Sequence, residues 1–157
     1  MWAESEEVCR VPVIQESVVI RRPPEVVFDY LSRAANLAVW DASVVNAEQI
    51  GSAPTAVGSR SHGTSKFMGR RFHWTTEVTA FDPPRHFGFR SVEGSLTFTV
   101  TTVLDPVDGD THLTYRSETV SGLGETLGRL GDPILQRVMA RTVRANLETL
   151  AHVLAAA

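Results

Sequence analysis

Hydrophobic and polar positions alternate with period two through much of this chain, and where the alternation stops, proline or glycine usually stands. "PVIQESVVIRR" (12–22) is rich in β-branched residues and reads as a strand. Pro23 and Pro24 stop it, and "PEVVFDYLSR" begins a short helix with proline in its first turn. "NLAVWD" (36–41) makes a second short helical segment with Asn36 as its cap, and "SVVNAEQIG" returns to strand. "SRSHGTSKFMGRRFHWTTEVTAFD" reads as two strands meeting near Gly69, closed by a turn at Asp82-Pro83-Pro84. "HFGFRSV", "SLTFTVTTVLD" and "THLTYRSETV" follow, with turns at Glu93-Gly94 and Asp108-Gly109-Asp110. Connections this short imply an antiparallel meander. After "SGLG", "ETLGRLG" can form a loose helical turn, and a helix capped by Asp132 and opened by Pro133 runs to about Leu154. The predicted order is strand, two short helices, six strands and a long C-terminal helix.

The alternation also assigns faces. Trp74, Thr76, Val78 and Ala80 share one side, as do Phe87 and Phe89. Leu96, Phe98, Val100, Thr102 and Leu104 share a side of the next strand, and Leu113, Tyr115, Ser117 and Thr119 a side of the last. Glu77, Arg90, Arg116 and Glu118 take the opposite parity, which reads as a solvated face behind an apolar one. On the terminal helix, Arg137, Arg141, Arg144 and Glu148 cluster on one side, and Leu135, Met139, Leu150 and Val153 centre the other. Thr142 and Asn146 sit among the latter, one turn apart. Two polar residues on an apolar face either point into a cavity or bond nearby backbone, Thr142 to its own preceding turn and Asn146 to a strand end.

Composition narrows the class. The chain has 157 residues, 43% apolar and 21% charged, with a net charge of −3. These values fit one soluble domain over residues 1–157, with residues 1–11 a loosely ordered N-terminal segment. No global basic field is present to collect nucleic acid or anionic membrane. The lone Cys9 cannot form an internal disulfide, "MWAESEEVC" lacks a signal-peptide pattern, and no apolar run approaches a membrane span. The expectation is a cytoplasmic protein without integral membrane association, monomeric or a weak homodimer.

The segment "PPEVVFDYLSRAANLAVWD" after a first strand resembles the opening of the START-like, helix-grip superfamily, which includes the polyketide cyclase/dehydrase and lipid-transport group and the Bet v 1 allergens. "VTAFDPPRHFGFRS" and the "GDTHLTYRSE" strand before a long helix continue the likeness, which covers roughly residues 12–155. The resemblance implies an α+β helix-grip fold: a curved seven-stranded antiparallel sheet wrapped around the C-terminal helix, with an internal cavity between them. It further implies an apolar occupant such as a polyketide, lipid or sterol. The family shares no catalytic motif to carry over, although a minority of members catalyse cyclisation, aromatisation or dehydration.

Inward parity nominates Trp74, Phe87, Phe98, Tyr115 and Met139 as cavity walls, with Thr142 and Asn146 as polar contacts to a ligand. Tyr115 and Trp74 each offer a flat face and one hydrogen-bond donor. Tyr115 and His62 are the two weak catalytic candidates, the tyrosine as a general acid toward a carbonyl. His62 faces outward under strict alternation and reaches a cavity only if Gly63 forms a bulge. The five histidines lack metal-ligand spacing, and "GLGETLG" (122–128) lacks the Lys-Ser/Thr of a phosphate loop, so neither metal nor nucleotide cofactor is expected. The leading expectation is a carrier or biosynthetic accessory protein for a hydrophobic small molecule. The alternatives are a cofactor-independent polyketide cyclase, aromatase or dehydratase, and a sequestering protein against a reactive natural product.

Overall fold

In the computed structural model, which describes residues 13–67, 69–121 and 133–157, strand β1 (Val13–Ile20) turns at Pro23 into helix α1 (Pro24–Leu31). A 3-10 turn at Ala34–Asn36 runs straight into the one-turn helix α2 (Leu37–Trp40). Asn36 does not cap α2 as the sequence suggests. It already has helical backbone angles (φ −79, ψ −16), where a cap needs an extended residue. Its Nδ2 donates instead to the Tyr30 carbonyl at 2.9 Å, tying the turn back to α1.

Strands β2 (Val44–Gln49), β3 (Arg60–Phe67), β4 (Arg70–Asp82), β5 (His86–Gly94), β6 (Thr97–Val107) and β7 (Asp110–Ser121) follow, and helix α3 (Pro133–Ala155) comes last. All seven strands join one antiparallel sheet in the order β1-β7-β6-β5-β4-β3-β2. The first strand therefore pairs with the last, Val18 opposite Leu113, and β1 and β2 are the two edges. The Asp108-Gly109 turn needs left-handed backbone at both residues (φ 51 and 85), a conformation glycine adopts freely and aspartate tolerates. The segment expected to be loosely ordered over 1–11, the loop expected over 122–128 and the Asp132 cap lie outside the described residues.

The principal core gathers Ile20 from β1, Val27 and Phe28 from α1, Leu104 and Leu113 from β6 and β7, and Leu147, Leu150 and Leu154 from α3. Of the predicted set on α3 Leu150 is buried, but its companions in the core are Leu147 and Leu154, and Val153 is only partly covered. The first half of α3 is much less engaged: Ile134 is 72% exposed and Val138 54%. No described helix is long and apolar enough to cross a membrane.

The opposite side of the sheet carries the charges, with Arg90 paired to Glu77 at 3.6 Å and Arg116 to Glu118 at 2.9 Å. Phe81 is the exception to strict parity. A register shift between Val78 and Ala80 sets it opposite Phe87, so that its ring packs edge-on against Phe28 at 5.3 Å. The bulge admits an extra aromatic to the core where simple alternation from Trp74 would have sent it outward.

Candidate functional site

The concave face of the sheet, α2 and the first half of α3 enclose a cavity of about 200 Å3. Inward parity supplies its walls. Trp74, Phe87 and Phe98 come from β4, β5 and β6, Tyr115 from β7, and Met139 hangs from α3. These are the five wall residues nominated from the sequence, and all five reach this space. An adjoining cavity of about 160 Å3 beneath α3 shares Trp40, Asp41, Tyr115 and Met139 with the first and is completed by Thr142 and Asn146.

The large rings are fixed in place. Trp74 stands edge-on to Phe98 with centroids 6.3 Å apart, and its Nε1 donates to Ser65 Oγ at 2.9 Å. Trp40 stands edge-on to Tyr115 at 6.4 Å, so the second short helix closes the end of the cavity nearest β7. Gly63 lies beneath the Trp74 ring, where a Cβ would come within 2.6 Å of the indole.

Thr142 and Asn146 divide. The Thr142 hydroxyl donates to the Val138 carbonyl one turn earlier at 3.0 Å, and its side chain stays largely exposed. Asn146 is buried and reaches across to the start of β2. Its Oδ1 accepts from the Ala42 N–H at 3.2 Å, and its Nδ2 donates to Asp41 Oδ1 at 3.1 Å. The backbone N–H is only a donor, which settles which amide atom faces Asp41. Asn146→Leu is therefore expected to lower stability by about 1–3 kcal/mol, because Ala42 and Asp41 both lose a partner inside the fold. Urea denaturation beside wild type reads the difference; an unchanged midpoint would show the bonds to be dispensable.

Asp41 is the residue that sequence reasoning missed. Oδ1 collects three bonds, from Asn146 and from the Ser43 backbone and hydroxyl at 2.9 and 2.7 Å. No described group donates to Oδ2, although Asp41 lines both cavities. Burial raises its pKa above the ordinary 3.8, against the lowering effect of the Ser43 and Asn146 bonds. "DAS" (41–43) is legible as a turn in which an Asp side chain bonds the backbone two residues on. That a helix 105 positions away covers it is not.

A carboxyl whose folded pKa is raised binds its proton more tightly in the folded state than in the unfolded chain. Its contribution to stability is complete below the ordinary value of 3.8 and is lost as pH rises through the folded pKa. Asp41→Asn does not titrate there. The stability of this variant relative to wild type should therefore grow from pH 3 toward neutrality, as read by melts across that range. A constant difference would contradict the burial effect.

Burial, and secondarily the Asp41 charge, raise the Tyr115 phenol above its usual value, so the group remains protonated at neutral pH. Its Oη has no hydrogen-bond partner among the described residues. The arrangement can present one donor and one acceptor at the end of an apolar chamber. His62 is not part of it. The β3–β4 register is unbroken through Gly63, which leaves His62 on the outer face, with Nε2 3.0 Å from Glu48 Oε1. Among the described residues no group of three His, Cys, Asp or Glu is placed to hold a metal.

Solved structures share this architecture at low sequence identity. A protein from Thermus thermophilus superposes with a TM-score of 0.77 at 22% identity, over 92% of this chain and 98% of its own. A START superfamily protein from Mycobacterium smegmatis gives 0.74 at 11%, over 90% and 96%. The Zhui aromatase/cyclase from a Streptomyces species gives 0.71 at 17%, over 90% and 92%. At these identities the likeness concerns the fold. No curated protein matches by sequence. The family model for polyketide cyclase/dehydrase and lipid transport matches residues 12–155, nearly the whole chain. With a helix-grip fold like that of these solved structures, the chain belongs to the polyketide cyclase/dehydrase and lipid-transport family.

Proposed function

We propose that the protein binds an apolar, ring-containing small molecule between its sheet and α3, as a carrier or biosynthetic accessory protein. The observation that carries this reading is the chemistry of the cavity: its walls are mostly aromatic and aliphatic, with Asp41 the one charged residue among those that line it. Apolar surface left facing a chamber is stabilised when a ligand displaces water from it. At about 200 Å3 the larger space is below the ~300 Å3 at which drug-sized pockets begin, which favours an occupant of about two fused rings. The family membership and the aromatase/cyclase among the structural relatives point to the same ligand class.

The test is direct. Titration with 2-naphthol should quench the emission of Trp74 and Trp40 saturably at one molecule per chain. Ser117→Trp, which fills the space that both cavities share, should abolish that binding while the melting point stays near that of wild type. Non-saturable quenching in wild type, or full binding by the filled variant, would refute the site.

A second reading, a cofactor-independent cyclase, aromatase or dehydratase, is favoured by a half-buried carboxyl, that of Asp41, lining the same cavity as Tyr115. A phenol that keeps its proton can polarise a carbonyl by hydrogen bonding while Asp41 takes a proton from the adjacent carbon. Turnover of a β-keto substrate that disappears in Asp41→Asn while naphthalene binding persists would establish it; equal turnover in the variant would exclude that role.

A further inference from the structure

Two polar atoms where the two cavities adjoin have no protein partner among the described residues. Asp41 Oδ2 receives no donor, since Ser43 and Asn146 all bond Oδ1, and Tyr115 Oη neither donates nor accepts. Neither atom is sealed within protein, because the only such orphan among the described residues is Arg22 Nε. Both residues line the same two spaces. They lie close enough for the carboxylate charge to act on the phenol, yet no bond joins them.

We infer that this pair selects a ligand hydroxyl, which accepts from Tyr115 Oη and donates to Asp41 Oδ2. The inference rests on the binding reading above and specifies what the buried end of the ligand carries. A hydroxyl is the smallest group that serves a donor and an acceptor at once. An ether or ketone oxygen satisfies Tyr115 but leaves the carboxylate facing an acceptor. An ammonium satisfies Asp41 but cannot accept from the phenol. Three donors already neutralise much of the charge on Oδ1, so the site does not require a full cation. The ligand class is an aromatic or enolic alcohol inserted hydroxyl first, with its rings against Trp74, Phe87 and Phe98.

Three probes of nearly equal shape separate this from plain apolar binding: naphthalene, 2-naphthol and 2-methoxynaphthalene. Wild type should bind the naphthol at least about tenfold more tightly than the methyl ether, since the bond lost is to a charged acceptor. Asp41→Asn is conservative in shape. Its carbonyl oxygen must stay toward the Ser43 backbone N–H and Asn146 Nδ2, which can only donate, so its NH2 replaces Oδ2. That variant should bind the naphthol and the ether within about threefold of each other. Tyr115→Phe supplies an independent arm, weakening naphthol several-fold and naphthalene hardly at all. If wild type binds all three equally, the hydroxyl pole is wrong and the apolar cavity stands. If wild type binds none, the binding reading itself fails. A preference for naphthol that survives in Asp41→Asn would overturn the assignment of Asp41 as the acceptor.

Discussion

Trp40→Ala is expected to cost about 3–5 kcal/mol of stability, among the largest effects of any single change in this chain. The side chain is 5% exposed and packs with the core around Phe28, Leu104 and Leu150. It also walls both cavities and stands edge-on to Tyr115. Removing it joins a void of indole size to spaces that are already open, so the surroundings have little to collapse onto. The backbone carrying Trp40 carries Asp41 next, so the variant should also loosen the bonds to Asn146. Urea denaturation measures the loss, and Trp40→Phe should recover a large part of it. A loss under about 1 kcal/mol in the alanine variant would mean that the ring is not the keystone of this end.

Gly63→Ala adds one carbon and should cost about 3 kcal/mol, at the upper end of overpacking effects. The new Cβ would collide with the Asn46 carbonyl oxygen of β2 and, at 2.6 Å, with the outer ring of Trp74. The first obstacle is backbone and cannot rotate away. Relief requires β2 to shift and the indole to swing from its bond with Ser65 into the cavity. Lower stability should therefore accompany weaker naphthol binding. Trp74→Phe removes the colliding ring but leaves the Asn46 clash, so a double-mutant cycle divides the penalty between the two obstacles. Wild-type stability in Gly63→Ala would mean that β2 yields without cost.

Most of the sheet is legible in the sequence because one face meets an apolar interior and the other meets water, which imprints period two on β4 through β7. Trp74, Phe98 and Tyr115 could be placed on a common inner surface for that reason alone. Phe81 could not, since the bulge that turns it inward is set by the pairing of β4 with β5 and leaves no mark in the hydrophobic pattern. The α3 stripe is legible in kind but rotated, because the burial of Leu147 and Leu154 depends on how the helix lies across β1 and α1. Asp41 is the instructive omission. A carboxylate after a short helix looks like an ordinary surface turn, and its bond to the distant Asn146 leaves no mark in the local sequence. The same bond answers why α3 carries an asparagine on its buried face, a question the helical wheel poses and cannot resolve.

That bond has a mechanical side. The sheet is an open hoop: β1 and β2 end the strand order and no ladder of hydrogen bonds joins them. A single turn of α3 fastens the two rims, Arg144 to Glu16 on β1 at 3.2 Å and Asn146 to Asp41 just ahead of β2. The bore of the hoop is therefore set by a buckle of side chains rather than by strand pairing. Polar fastenings of this kind can lengthen by fractions of an ångström without unpacking the leucines beyond them, whereas a closed barrel would have to break a strand seam to widen.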